Sequence, residues 1–221
     1  MKLFPSLISS NLLQLGQTIA CLDPVVDGYH LDIMDFHYVP NLTWGPMFIN
    51  AIRKASRKQL WVHLMVDEPE RYLERLELAP HDIVSFHEQP TPQATRNLCR
   101  ELRERNLVPS IALKPTTPIS TLKLLLDIPC DLGQVLLMSV EPGFSGQIFL
   151  PSSLDRLYEL VRLRTELNAH FSIGIDGGIT HENIGAVCTA GAQEIASASA
   201  IFSQPDPLQA IKLLHQKAGA L

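Results

Sequence analysis

The chain of 221 residues is long enough for one large domain or two small ones, and its 46% hydrophobic and 19% charged residues are typical of a globular protein. Its 18 Lys and Arg residues against 23 Asp and Glu give a formal charge of −5, and the one short basic run, at 53–58, does not support nucleic-acid binding. No apolar run approaches the ~20 residues that span a bilayer, so neither a nucleic-acid partner nor a membrane partner is expected.

The N-terminal segment reads MKLFPSLISSNLLQ, and its apolar stretch is interrupted by Pro5 and Ser6 and lacks a small-residue cleavage site. Because the features of a secretory signal are missing, we interpret this segment as the first strand of a cytoplasmic protein. The cysteines show no C-x-x-C spacing, so we expect reduced, mostly buried thiols at Cys21, Cys99, Cys130 and Cys188.

Short runs rich in Val, Ile and Leu alternate with amphipathic segments along the chain, a pattern typical of repeated βα units and a parallel sheet. The pattern predicts eight strands, at 2–8, 28–34, 59–66, 82–87, 108–113, 134–140, 171–176 and 194–198. It predicts eight helices, at about 11–22, 46–57, 69–78, 92–106, 118–127, 151–168, 181–190 and 206–217. Pro151 is expected to open the sixth of these helices, and Pro205 and Pro207 the last.

Eight βα units in 221 residues give about 28 residues each, which favours a single (β/α)8 TIM barrel spanning residues 1–221 with little room for another domain. An open doubly wound sheet is the alternative fold. That fold usually carries a G-x-G-x-x-G turn after its first strand, and the segment FPSLISSN offers none.

Four distant segments end predicted strands with residues that bind metals or move protons: YHLDIMD at 29–35, WVHLMV at 61–66, MSVEPGFSGQ at 138–147 and IGIDGGI at 173–179. Side chains alternate faces along a strand, so His30 and Asp32 share one face, and barrel enzymes place their active sites at the carboxyl ends of the strands. Two imidazoles and two carboxylates are therefore expected to converge there. Two Asp residues beside a metal can take a proton from one side of a carbon and return one to the other, which predicts an epimerase.

Glycines in adjacent loops indicate how a substrate is held. Backbone N–H groups near Gly143, Gly146, Gly177, Gly178 and Ser199 could surround an anion, and barrel enzymes often bind phosphate near strands 7 and 8. The alternative is that these glycines only form turns with positive φ. Their occurrence in three adjacent loops favours phosphate.

Several motifs in order resemble those of the ribulose-phosphate 3-epimerase family: FPSLISSN, HLDIMDFHYVPNLTWGP, VHLMV, LKPTTP, MSVEPGFSGQ, IDGGI and SASAIF. Members of that family are metal-dependent barrels that interconvert ribulose 5-phosphate and xylulose 5-phosphate. The resemblance covers nearly the whole chain. It implies one divalent metal ion per chain, held by His30, Asp32, His63 and Asp176, with Asp32 and Asp176 as the catalytic acid/base pair.

The resemblance also implies a small phosphorylated ketose as substrate and a homo-oligomer as the assembled form. The implied substrate-binding residues are Ser6, Met34, His63, Met65, Met138, Gly143, Phe144, Ser145, Gly146, Gly177, Gly178, Ala198 and Ser199. Zinc is the first choice of metal, and iron, manganese or cobalt would suit the same donors. His87 is expected to orient a metal ligand, since bound imidazoles and carboxylates need such partners.

The sequence departs from the usual family motifs at four positions. Phe36 stands where the family typically has Gly in M-D-G-H, and Thr116, Ser145 and Ala198 likewise replace glycines. A Cβ at Ala198 is expected either to crowd a phosphate oxygen or strain the backbone, or to have no effect if the turn has normal geometry. These departures weaken the choice of substrate more than the reaction type.

Three rival functions are considered. A 3-epimerase of a six-carbon ketose phosphate, such as D-allulose 6-phosphate, would share the metal and acid motifs. A phosphate-binding barrel decarboxylase would need a Lys where the sequence has Ile33 and Met34. A non-catalytic sugar-phosphate-binding barrel would have little use for two acids directed at one carbon.

Overall fold

The computed structural model of the protein describes residues 1–126 and 132–219. Its eight strands form one parallel sheet in the order β1-β8-β7-β6-β5-β4-β3-β2. The strands are β1 (Lys2–Pro5), β2 (Gly28–Met34), β3 (Gln59–Met65), β4 (Ile83–His87), β5 (Val108–Leu113), β6 (Gln134–Met138), β7 (Ser172–Asp176) and β8 (Glu194–Ser197). The sheet curls into a nearly closed TIM barrel, as predicted. Among the described residues, a lone parallel bridge between Ser6 and His30 joins β1 to β2.

Helices lie between the strands, as the alternating sequence pattern predicts. They are α1 (Leu15–Leu22), α2 (Pro46–Ala55), α3 (Pro69–Leu73), α4 (Pro92–Glu104), α5 (Thr121–Leu126), α6 (Ser152–Glu166), α7 (Ile184–Thr189), α8 (Ser199–Phe202) and α9 (Pro207–Ala218). Two 3₁₀ helices, Leu7–Ser9 and Leu12–Gln14, precede α1. No helix in the described ranges is long and apolar enough to cross a bilayer.

Several predicted boundaries need correction. The first strand, predicted at 2–8, ends at Pro5, and a 3₁₀ helix begins at Leu7. The sixth strand, predicted at 134–140, ends at Met138. The last helix begins at Pro207, since the carboxylate of Asp206 caps it by accepting from the N–H groups of Leu208 (2.9 Å) and Gln209 (3.2 Å). The short helix α8 was not predicted. The end of the predicted helix 118–127 and Cys130 lie outside the described residues.

The strands are buried on both faces, which explains their continuous apolar runs. Ile, Leu and Val side chains pack between the sheet and the helices, and a second cluster that includes Phe4, Trp61 and Leu136 fills the barrel interior. Of the cysteines, Cys99 is buried and Cys188 is partly buried. Cys21 is exposed, so the prediction of mostly buried thiols is wrong there.

Polar side chains also cross the barrel interior, which the sequence did not reveal. Trp61 Nε1 donates to Ser85 Oγ (2.7 Å), Ser85 Oγ to Ser110 Oγ (2.8 Å), and Ser110 Oγ to Gln134 Oε1 (2.6 Å). Gln134 Nε2 then donates to Glu194 Oε2 (2.6 Å). Because each of these five side chains has a hydrogen-bond partner in the network, the cost of burying unpaired polar atoms is avoided there.

Candidate active site

The four residues predicted as metal ligands lie close together in the structure. His30 and Asp32 belong to β2, His63 to β3 and Asp176 ends β7. One nitrogen or carboxylate oxygen from each can be chosen so that all four atoms lie within 4.8 Å of one another. Alternation along β2 turns His30 and Asp32 to the same side, and the parallel register sets His63 directly beside Asp32.

Asp32 is the centre of this cluster. Its Oδ2 lies 3.3 Å from His30 Nδ1, and its Oδ1 lies 3.4 Å from His63 Nδ1. Ser6 Oγ donates a hydrogen bond to Asp32 Oδ2 at 2.8 Å. The carboxylate is thus contacted by Ser6, directly after β1, and by His30 of β2 and His63 of β3, which together define its position at the base of the site.

The imidazole nitrogens of this cluster fit a metal ion. His30 Nδ1 and His63 Nδ1 are buried and have no hydrogen-bond partner among the described residues. Buried polar nitrogens without partners are costly, and two such lone pairs beside two carboxylates form a donor set that suits zinc, iron, manganese or cobalt. The residues present therefore fit a divalent cation.

The two carboxyl groups differ in their preference for a proton. Burial opposes the charge of Asp32, but His30 and His63 outweigh burial and hold the pKa of Asp32 well below its usual range. Burial raises the pKa of Asp176, and the neighbouring Asp32 carboxylate adds to this, while His30 and His63 oppose the rise. The protein groups thus favour an ionised Asp32 beside an Asp176 that retains its proton more readily.

A second group of side chains lies behind His63. His63 Nε2 is 3.0 Å from Nε2 of His87, the last residue of β4. The ring of Tyr38 packs on His87 with centroids 4.8 Å apart, and Lys114 Nζ lies 4.0 Å from the centre of the Tyr38 ring. Burial lowers the pKa of His87 well below its ordinary value, and the nearby Lys114 ammonium lowers it further.

Two polar residues that the sequence motifs did not indicate, Ser139 and Thr43, hold the backbone near the strand ends in place. Ser139 Oγ donates to the carbonyl oxygens of Asp176 (2.9 Å) and Gly177 (2.6 Å), which fixes the backbone of β7 at its last residue. Thr43 Oγ1 donates to the Asp32 carbonyl (2.7 Å) and accepts from Met34 N–H (2.9 Å). The position of Ser139 directly after β6 was the available signal for it.

Asp35 follows β2, but its carboxylate has a structural role. It accepts from the backbone N–H groups of His37 (2.8 Å), Tyr38 (2.8 Å) and Asp67 (2.9 Å). Burial opposes its charge, but these three hydrogen bonds outweigh burial and lower the pKa of Asp35. Asp35 therefore ties the loop after β2 to the loop after β3 and does not face the metal cluster. His37, on the same loop after β2, is exposed.

A cavity opens above the cluster and is lined by most of the predicted substrate-binding residues. Its deep part contains Ser6, Asp32, Met34, Met65, Met138 and Asp176. Toward the loops after β6, β7 and β8 it is lined by Gly143, Phe144, Ser145, Gly146, Gly177, Gly178, Ala198 and Ser199. His63 does not line this cavity, because it is fully buried beneath it. The wall also includes Val140, Glu141, Gln147 and Ser197, which were not predicted as substrate-binding residues.

The cavity glycines have the positive φ that the turn explanation predicts. Gly143, Gly146, Gly177 and Gly178 all lie at φ between +62° and +128°. A side chain on Gly178 would also meet the backbone of Phe149, so a turn is needed there whether or not an anion binds. Ala198 lies at φ −110°, so alanine at this position does not have to adopt a left-handed conformation.

Phe36 behaves differently from the other three replacements. It has φ +63°, whereas Thr116, Ser145 and Ala198 are absent from the described non-glycine residues with positive φ. Its N–H donates to the Asn41 carbonyl (2.9 Å), and Asn41 Nδ2 donates to the Gly143 carbonyl (2.7 Å), which connects the loops after β2 and β6. The phenyl ring is 66% exposed, so the strained backbone is not compensated by burial of the ring.

We expect Phe36→Gly to increase the free energy of unfolding by up to about 1 kcal/mol, because relief of about 1–2 kcal/mol of strain exceeds the entropy cost of a glycine. For a chain of this length the midpoint of thermal unfolding should rise by about 2–4 °C per kcal/mol. The matched control is Phe144→Gly, since Phe144 is 54% exposed and does not have positive φ. A lower midpoint for Phe36→Gly would show that the ring makes stabilising contacts.

Solved structures of similar shape include other barrel enzymes. The KGPDC of Streptococcus mutans in complex with D-R5P superimposes with a TM-score of 0.73 at 12% identity, covering 99% of this chain and 97% of that one. The 3-hexulose-6-phosphate synthase of Salmonella typhimurium gives 0.72 at 14% identity, with coverage of 99% and 98%. At this identity the similarity shows the fold alone, which agrees with the TIM barrel.

Sequence comparison is more specific. The model of the family described as "Ribulose-phosphate 3 epimerase family" matches residues 2–202. The ribulose-phosphate 3-epimerase of Synechocystis sp. is 39% identical over 210 residues, covering 94% of this chain and 90% of that protein. That of Bacillus subtilis is 36% identical over 212 residues, covering 95% and 96%. The chain therefore belongs to the ribulose-phosphate 3-epimerase family, and it is an enzyme of the carbohydrate epimerase class.

Proposed function

We propose that this chain, acting as one barrel domain, epimerises a ketose phosphate at C3, with D-ribulose 5-phosphate and D-xylulose 5-phosphate as the interconverted pair. The observation that carries the proposal is the presence of two carboxyl groups, Asp32 and Asp176, at the base of one cavity beside two imidazoles whose Nδ1 atoms have no hydrogen-bond partner among the described residues. The relatives are named ribulose-phosphate 3-epimerases, which supports a ribulose phosphate as substrate and C3 as the reacting carbon.

The proposed chemistry uses the two carboxyl groups in turn. In the direction in which Asp32 is the base, its carboxylate takes the C3 proton, and Asp176 delivers a proton to the opposite face of the resulting enediolate. In the reverse direction the two residues exchange roles, and exchange with solvent restores the starting protonation. A divalent cation held by His30, Asp32, His63 and Asp176 would supply positive charge that stabilises the enediolate.

Other residues of the cavity would bind and shield the planar intermediate. Met34, Met65 and Met138 line the deep part of the cavity, and thioether side chains can pack against a planar anion without offering it a proton. Ser6 is bonded to Asp32 and would keep that carboxylate in position while it carries a proton. The loop residues from Gly143 to Gly146, with Gly177, Gly178, Ala198 and Ser199, would hold the phosphate group.

Exchange of the C3 hydrogen with solvent tests the reaction and the substrate together. The purified protein would be incubated in heavy water with five-carbon and six-carbon ketose phosphates, and deuterium at C3 would be followed by NMR. We expect deuteration of ribulose 5-phosphate together with formation of xylulose 5-phosphate. Faster exchange with allulose 6-phosphate would assign the six-carbon substrate, and no exchange in any ketose phosphate would leave a binding protein as the better description.

The phosphate site is tested separately, and we expect inorganic phosphate to compete with the substrate at millimolar concentrations. Because Ala198 has a negative φ, Ala198→Gly should leave KM within about twofold, the range expected when no contact is removed. A much lower KM for the phosphate ester would show that the methyl group crowds the anion. If an unphosphorylated ketose turned over as well as its ester, the phosphate site would be wrongly assigned.

A further inference from the structure

His63 is contacted on both of its ring nitrogens by ionisable groups. Nδ1 faces the Asp32 carboxylate at 3.4 Å, and Nε2 faces His87 Nε2 at 3.0 Å. All three residues are buried, so water does not easily replace either partner. These two partners therefore decide which of the two His63 nitrogens carries the proton.

Two neutral imidazoles at this distance form one hydrogen bond, in which one Nε2 carries the proton and the other offers its lone pair. A metal at the proposed site needs the lone pair of His63 Nδ1, since a protonated nitrogen cannot coordinate a cation. The proton of His63 must then lie on Nε2, which makes His63 the donor and His87 Nε2 the acceptor. This assignment also explains why His63 Nδ1 has no hydrogen-bond donor or acceptor of its own.

The surroundings of His87 favour the same direction. The His87 ring forms a further hydrogen bond with the backbone of Ala112 on β5. The effect of this bond is that of one that the ring donates. Tyr38 covers the ring and carries the Lys114 ammonium on its own ring at 4.0 Å. With its proton used toward Ala112, the His87 ring has Nε2 available to accept from His63.

We propose that His87 is a positioning residue that accepts the hydrogen bond of His63 Nε2–H and so keeps the Nδ1 lone pair of His63 directed at the metal site. The inference rests on the proposed function, because the Nδ1 lone pair of His63 would be used by the proposed metal. His87 itself does not line the cavity, so its role would act through His63.

Two variants separate the acceptor from the ring that carries it. His87→Gln keeps an amide oxygen that can accept from His63, whereas His87→Phe keeps an aromatic ring of similar shape but removes the acceptor. Zinc affinity of each metal-free protein would be measured by competition with a chromophoric chelator. We expect about 10–100-fold weaker zinc binding by His87→Phe, the range typical for loss of a partner of a metal-bound imidazole, and close to wild-type binding by His87→Gln.

The tautomer of His63 is measured directly in the metal-free wild-type protein by long-range ¹H–¹⁵N NMR, which does not depend on the folding of any variant. We expect the proton on Nε2. A proton on Nδ1, unchanged zinc affinity of a folded His87→Phe variant, or equal losses in both variants would each overturn the positioning role. Failure of the wild-type protein itself to bind zinc or another divalent ion would instead contradict the proposed metal site.

Discussion

Removal of metal is expected to reduce epimerisation by at least about 100-fold, because a carboxylate alone is a poor base for a carbon acid and the enediolate would lose its main electrostatic stabilisation. His30, His63, Asp32 and Asp176 converge within 4.8 Å, which is too small a set for two separate ions. Elemental analysis of the purified protein should therefore give about one divalent ion per chain.

The control for metal removal is recovery of activity. After dialysis against a chelator and then against buffer, zinc, manganese, cobalt and ferrous ions would be added one at a time, and the initial rate measured with each. The ion that restores most activity at the lowest concentration identifies the preferred metal. Full activity in a sample shown to be metal-free would remove the cation from the mechanism.

Replacement of Asp176 by Asn is expected to reduce epimerisation by at least about 100-fold, the lower end of the contribution of general acid–base catalysis. The barrel should remain folded, because Asp176 ends its strand at the rim and its backbone is held by Ser139. The substitution also removes a carboxylate from the metal cluster, so the metal content of the variant must be measured before the loss is assigned to proton transfer.

A matched control is Asp35→Asn, which alters a carboxylate at the same rim that binds backbone N–H groups. It should lower stability through the lost hydrogen bonds while leaving the reacting groups intact. A metal-loaded Asp176→Asn variant that exchanged the C3 hydrogen of one epimer without inverting it would support two separate bases. Near-normal epimerisation by that metal-loaded variant would exclude Asp176 as an acid or base.

The sequence predicts this fold well because its signals are local and repeated. Buried apolar strands alternate with amphipathic helices, three of which begin at Pro46, Pro92 and Pro207. All eight strands are therefore predicted in the right place, with errors of a few residues at their ends. The cluster of His30, Asp32, His63 and Asp176 was also predictable. Asp32, His63 and Asp176 lie within two residues of the carboxyl ends of their strands, and a parallel barrel brings such ends together. His30 lies two residues before Asp32 on the same face of β2.

Other features depend on contacts between distant segments and could not be predicted in this way. The pairing of His63 with His87 was anticipated only as an unspecified orienting role, since it requires the register of β3 against β4. The anchoring of the Asp176 backbone by Ser139 likewise requires β6 beside β7. The strain at Phe36 was not predicted either, because a phenylalanine ordinarily indicates a negative φ.

The β1 and β2 ends of the sheet are joined by one short parallel bridge, and the proposed cation would also affect the stability of this join. Along the rest of the sheet, neighbouring strands share longer registers, whereas here one bridge between Ser6 and His30 completes the circle. The candidate ligands lie on both sides of that join, with His30, Asp32 and His63 on β2 and β3 and Asp176 on β7. A cation bound by all four would connect strands on both sides of this join, so both the activity and the stability of the folded barrel would depend on the same ion.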